Sequence, residues 1–265
     1  MPQVITLGDI NLDIMAYIPR YPSCGDDGLA WRASVQSGGS AANTAIVLAQ
    51  LGVDVGLISR VMTDPLSEWV LAELTEAGVE LSAVQRDHET MMGLMFIAVT
   101  PNGERTIFGY RGANARTSPK LLQEAYITGA RLLHLSGYAL LESPQRGSAL
   151  HKLGAQGCLV GSKGDIFAVP AFTVAVRDTT GAGDAFDAGF ILGRLRGLTW
   201  QESALLANAL GALGATVEGA GRSLPDREEV CAFLKLEEGR KGNSHWQREL
   251  YTLLDSLSSE RSAHK

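Results

Sequence analysis

The run Asp178-Thr179-Thr180-Gly181-Ala182-Gly183-Asp184 precedes an apolar stretch of Ala185, Phe186, Ala188, Gly189, Phe190 and Ile191. Small residues at 181–183 let successive backbone N–H groups face a ligand. A helix starting there adds its positive dipole end, so the two together make an anion hole for a phosphate. Asp184 falls in the first turn beside that hole, where a carboxylate can take the proton of an attacking hydroxyl as a phosphoryl group arrives. Alone, the same run also describes a plain glycine-rich loop whose Asp caps a helix.

Two earlier motifs carry complementary groups. Gly38-Gly39-Ser40-Ala41-Ala42-Asn43 opens a helix; its glycines permit close approach of backbone to ligand, and Asn43 both donates to and accepts from hydroxyls. Gly8-Asp9-Ile10-Asn11-Leu12-Asp13 follows the first apolar run. Asn11 and Asp13 there would meet sugar hydroxyls at the carboxyl end of a sheet, where open α/β folds place ligands. Each has a bland alternative, an ordinary loop with an N-cap and an Asn/Asp-rich turn respectively.

Other chemistries fit poorly. Gly181-Ala182-Gly183 begins like a dinucleotide fingerprint, but Phe186 occupies the third glycine. The stretch from Gly157 to Lys163 lacks the spacing and the Gly-Lys-Ser/Thr of a P-loop. Histidines at 88, 134, 151, 245 and 264 are scattered and suggest neither a metal site nor a triad; His134 reads as a core residue. Met91, Met92 and Met95 read as strand packing.

The elements that must position these groups follow from periodicity. Val4–Leu7, Val55–Ser59 and 131–136 read as buried strands, and 41–51, 65–77, 118–126 and 144–150 as helices. Thr100-Pro101-Asn102-Gly103 between two apolar runs signals a hairpin, as does Ser162-Lys163-Gly164 between Gly157–Gly161 and Asp165–Val169. Helices follow at 183–196, 200–217 and 225–236, with an amphipathic stretch near 246–257. Strand–helix alternation predicts an α/β fold, while strands within 12–36 and 91–112 read as a small sheet set apart as a lid.

Bulk composition sets the class. The 265 residues carry a net charge of -6, which argues against nucleic-acid or membrane-surface partners. Three scattered cysteines suggest reduced thiols rather than disulfides or zinc. No run approaches the ~20 apolar residues of a membrane span, and the N-terminal run lacks the charge and length of a leader. The expected location is cytoplasmic.

Taken in order, GDINLD, GGSAANTA and DTTGAGDAFDAG resemble the signature regions of the ribokinase-like (PfkB) carbohydrate kinases. The resemblance runs from about residue 3 to 233 and includes Lys152–Gly157 and Phe108–Asn114. It implies a doubly wound, mostly parallel sheet flanked by helices, with a β lid over the sugar. Residues 1–234 would be the kinase domain and 235–265 a polar, helical tail. Asp184 would be the base; Gly181, Ala182 and Gly183 the anion hole; and Asn11, Asp13, Gly38, Gly39 and Asn43 the sugar site. Lys152, Gly154, Gly157 and Asn208 would lie on the nucleotide side, and Asp178 and Thr180 near a monovalent cation such as K+. The implied activity is ATP-dependent phosphorylation of a small sugar or sugar-like alcohol, with ATP and Mg2+, and with a homodimer through the lid as a candidate assembly.

The chain departs from this pattern twice. Met62 and Ser67 stand where the family has glycines, although Asp64 is kept. More important, Arg146–Leu150 runs directly into His151–Gly154, where the family has two further strand–helix units. The Asn-x-x-Glu motif that those units carry, used to place magnesium and phosphate, occurs nowhere in the chain. This predicts an internal deletion near 150–151. It also raises the alternative of a non-catalytic relative that binds a ligand or partner.

Overall fold

Short apolar runs and helices alternate through the first part of the chain: β1 (Val4–Leu7), β2 (Asn11–Tyr17), β3 (Arg32–Gly38), α1 (Ser40–Gln50), β4 (Val55–Ile58), β5 (Arg60–Met62), α2 (Pro65–Glu76), β6 (Gln85–Asp87), β7 (Gly93–Val99) and β8 (Arg105–Tyr110). Then come α3 (Glu124–Thr128), β9 (Leu132–Leu135), β10 (His151–Lys152), β11 (Cys158–Ser162) and β12 (Asp165–Val169). The remainder is helical: α4 (Ala182–Leu195), α5 (Trp200–Gly214), α6 (Arg227–Glu238) and α7 (Gln247–Ser258). This computed structural model describes residues 1–137, 151–152, 157–162, 165–240 and 246–258, with the backbone alone at 119, 151–152, 159–162 and 165–167. The helix expected at 144–150 lies outside the described residues.

β1 is the centre of a parallel sheet of order β4-β1-β9, with Val4 level with both Val55 and Leu132. Its continuous apolar character suits burial on both faces. α1 packs on β1 and β4, and α4 packs on α1. α4 and α5 approach closely because glycines line the contact: a Cβ on Gly189 would come 2.9 Å from Ala207 Cα. α2 starts at Asp64, whose carboxylate accepts from the Leu66 and Ser67 N–H groups. Ser67 Oγ also donates to Asp64, at 2.8 Å, so the serine that replaces a family glycine serves the cap. Capping boxes start α5 (Thr199 with Glu202) and α6 (Asp226 with Glu229).

Four strands, in the order β3-β2-β7-β8, form the separate lid sheet expected from 12–36 and 91–112. Its hairpin turns at Gly103, where φ is 81°. Residues 118–126 are not one helix. They fold as a 3-10 turn at Pro119–Leu121 and the five-residue α3, none of whose side chains is fully buried, so little packing holds a longer helix.

β10-β11-β12 form a second, antiparallel sheet that leans on α5. Among the described residues no ladder joins it to β9. Among the described residues the central sheet thus ends at β9, where Leu133 and Leu135 are 39% and 42% exposed. That break falls where two strand–helix units were expected to be missing. At the other end of the chain, α6 runs on to Glu238, across the boundary expected at 234–235, and α7 buries Leu250, Leu253, Leu254 and Leu257 in the main core.

Candidate active site

Asp184 stands in the first turn of α4, whose N-cap, Gly181, has φ 74°. A side chain there would be strained by the backbone and would press on Leu224 and Ala220. Ser40 Oγ donates to Asp184 Oδ1 at 2.7 Å, and Asn43 Nδ2 to Oδ2 at 2.9 Å. Asn43 is engaged at its other end as well, its Oδ1 accepting from the Gly221 N–H at 3.1 Å. The head of α1 therefore orients the carboxylate at the head of α4. Gly39 caps α1 with φ 101°, and a Cβ there would sit 2.2 Å from the Asp9 carbonyl oxygen.

β2 brings Asn11 and Asp13 to one face of the lid, as alternate residues of a strand must be. Asp13 is 4% exposed and its Oδ1 has no hydrogen-bond partner among the described residues. Gly38, opposite Asn11 on β3, leaves the space that Asp13 fills, since a Cβ there would lie 2.1 Å from Asp13 Oδ2. Burial foremost, then the nearby charge of Asp184, pushes the Asp13 carboxyl up from 3.8 to about 7, against the opposing pull of Arg105. Arg105 reaches from β8 to donate to Thr180 Oγ1 at 3.1 Å, bringing the lid down onto the loop before α4. Arg32 on β3 pairs with Glu218 in the same way.

On the other side of Asp184 a cavity of about 450 Å³ reaches the first turn of α4 at Ala182 and Gly183. Gly157, Phe172, Val176 and Asn208 are among its walls. The Asn208 amide group donates to the Val169 and Pro170 carbonyls, both at 3.0 Å, so it frames the wall rather than projecting from it. The Ala182 N–H closes a turn on the Thr179 carbonyl at 3.3 Å. Asp178 Oδ1 accepts from Thr180 Oγ1 and N–H, and Oδ2 from the Gly219 N–H, so this carboxylate ties two loops. The Lys152 side chain and Gly154 lie outside the described residues.

Asn11, Asp13, Gly38, Gly39, Asn43 and Asp184 thus converge, and Gly157 and Asn208 share the adjoining cavity. Ser40, Arg105 and Asn114 join the site without having been singled out for it. Asn114 carried a signal, its place in the Gly-Ala-Asn run after the lid hairpin. Arg105 carried none.

The family model described as "pfkB family carbohydrate kinase" matches residues 1–153 and 148–227. The chain belongs to the pfkB family of carbohydrate kinases. The match comes in two pieces that meet at the expected deletion. The chain is 30% identical over 293 residues to the ATP-dependent ribose-1-phosphate kinase of Halopiger xanaduensis, with 88% of this chain and 98% of the relative covered. Since that alignment is longer than the whole 265-residue chain, many of its positions face a gap here. The fold matches the ribokinase of Thermotoga maritima with a TM-score of 0.78 at 23% identity, covering 89% of this chain and all of that one. It also matches a putative ribokinase II from E. coli in complex with ATP and Mg2+, with a TM-score of 0.74 at 20% identity, again covering 89% and 100%. Within the pfkB fold, then, this member keeps the lid and the α4 loop and lacks a hydrogen-bonded sheet across its middle among the described residues.

Proposed function

We propose that this pfkB-family enzyme transfers the terminal phosphoryl group of ATP to a hydroxyl of a small sugar or sugar phosphate, with Asp184 as general base. One observation carries the reading. Asp184, held by Ser40 and Asn43, lies between a face bearing Asn11 and Asp13 and a cavity that ends at the N-terminus of α4. The sugar hydroxyl would approach Asp184 from the lid side. The phosphate would meet the backbone of Gly181, Ala182 and Gly183, where the helix dipole favours the charge that phosphoryl transfer redistributes. The lid, drawn down by Arg105, would exclude water, which limits hydrolysis of ATP in place of transfer.

Magnesium fits as part of the substrate. No group of three His, Cys, Asp or Glu among the described residues is placed to hold a metal ion, so Mg2+ would enter on the nucleotide's phosphates. A monovalent cation at Asp178 and Thr180 would share a carboxylate already engaged by two loops, and potassium dependence of turnover tests it. The cytoplasm, where ATP is at hand, is the proposed place of action. No helix among the described residues is long and apolar enough to cross a membrane.

We further propose a homodimer through the lid. Val35, Ile14, Phe96 and Phe108 stand in one cross-strand row on the face opposite Asp13. Val35, Phe96 and Phe108 in that row are exposed, and such apolar rows favour burial against a partner. Light scattering after gel filtration reads the mass.

The function is tested by ADP formation from MgATP with D-ribose, ribose 1-phosphate and a panel of other sugars. Phosphorylation of one of them at a rate well above ATP hydrolysis supports the reading; none above hydrolysis sinks it.

A further inference from the structure

Asn114 follows the lid hairpin in a 3-10 turn at Gly112–Arg116, and it is 4% exposed. Its amide is fixed by groups that leave no choice of orientation. The Ile10 N–H can only donate and lies 3.0 Å from Asn114 Oδ1; the Ile10 carbonyl can only accept and lies 3.0 Å from Nδ2. Ser59 Oγ adds a bond to Oδ1 at 3.1 Å. The remaining proton of Nδ2 points to the Asn11 side chain, 2.9 Å away. Asn11 must answer with its oxygen, so its own amide nitrogen turns the other way. That nitrogen makes no hydrogen bond within the described residues. Gly93 keeps the junction open, since a Cβ there would lie 2.0 Å from Asn11 Oδ1 and 2.4 Å from Asn114 Nδ2.

We infer that Asn114 is a positioning residue that makes Asn11 a hydrogen-bond donor toward the substrate, so that this end of the sugar site selects an oxygen that accepts. Asp13, two residues on and on the same face, presents an oxygen without a partner among the described residues and, when ionised, selects a hydroxyl that donates. The pair reads an acceptor next to a donor: a ring, carbonyl or ester oxygen, or a hydroxyl used as acceptor, beside a free hydroxyl. This rests on the sugar-kinase reading above, which left the orientation of Asn11 open.

The orientation itself can be read without a substrate. In side-chain amide spectra assigned with N11D and N114S, the Asn114 NH2 pair should exchange slowly with solvent and the Asn11 pair quickly. The reverse order overturns the inference, whatever the enzyme phosphorylates. The kinetic arm uses MgATP with D-ribose, or with whichever sugar of the panel is turned over. N114S should raise the KM for sugar about tenfold or more, leaving kcat and the KM for ATP within about threefold, since Asp184 is held from α1. N11D should raise the sugar KM comparably, and the double variant should match N11D alone, because Asn114 acts through Asn11. An unchanged sugar KM in N114S, equal loss in kcat, or additive effects in the double variant overturns the inference. Absence of turnover with every sugar counts against the proposed activity alone, and the amide exchange still decides this one.

Discussion

Asn43 Nδ2 stands 2.9 Å from Asp184 Oδ2, joining the second residue pattern of the chain to its last. With Ser40 on the other oxygen, the carboxylate is aimed by a helix it does not belong to. D184N should lose ~10²–10⁴ in kcat, the usual worth of a general base, with sugar affinity retained. N43A should leave the base in place but poorly aimed, costing about tenfold or more in kcat. Near-wild-type turnover in D184N would remove Asp184 from its role.

Asp13 gives a pH dependence of known sign. Its carboxyl rises from 3.8 to about 7 on folding, so between those values the folded state holds a proton that the unfolded state has released. The stability associated with that proton is complete below about 4 and declines as pH rises to about 7. At ~1.36 kcal/mol per unit the loss is at most about 4 kcal/mol. D13N, neutral throughout, should flatten this slope and melt higher than wild type at pH 8, while its KM for sugar rises. A D13N midpoint that falls with pH as steeply as wild type would refute the assignment.

G38A is the steric counterpart. Its new methyl would fall 2.1 Å from Asp13 Oδ2, so either Asp13 or β3 must move. The expected result is a sugar KM raised about tenfold or more with a modest drop in thermal midpoint. G137A, whose new methyl meets nothing within 4 Å among the described residues and whose φ, like that of Gly38, is not positive, is the matched control.

The two lid contacts should separate. Arg105 meets Thr180 and faces the buried Asp13, so R105A should raise the sugar KM several-fold and push the Asp13 carboxyl higher still. Arg32 and Glu218 are both exposed, and such pairs add little. E218Q should therefore leave KM and thermal midpoint unchanged. Equal effects from both variants would mean that the lid responds to general charge loss and not to Arg105.

Restoring two strand–helix units between residues 150 and 151, with an Asn-x-x-Glu segment, should raise both thermal midpoint and turnover. β9 would gain a partner, and Leu133 and Leu135 a cover. Covering a few hundred Å² at ~25 cal/mol per Å² amounts to several kcal/mol. Equal midpoints and equal turnover in the two forms would show that the chain closes its sheet by another route.

What was legible in the sequence was local. Glycine at 39 and 181 is dictated by backbone angles, and the strands and helices around the motifs by periodicity, so those elements lie within a few residues of where they were expected. Ser40 to Asp184, Arg105 to Thr180 and Asn114 to Asn11 are pairings across 144, 75 and 103 residues. Topology creates them, and no spacing announces them. The failed helix at 118–126 has the same root: helix propensity was present, but α3 is five residues long and buries none of them fully.

The break beside β9 also has a mechanical meaning. The half of the molecule that carries Asn11 and Asp13 and the half that faces the α4 cavity share no strand ladder among the described residues. They are joined at α1 and α4, by the lid contacts, by the Asn43 side chain that bonds both Asp184 and Gly221, and by Gln50 and Glu76, which both bond Arg222. A joint without a ladder would be expected to loosen before the ladders within either body. On warming, such an enzyme would become uncoupled first, still holding sugar and splitting ATP to water while its circular dichroism remains that of the folded chain.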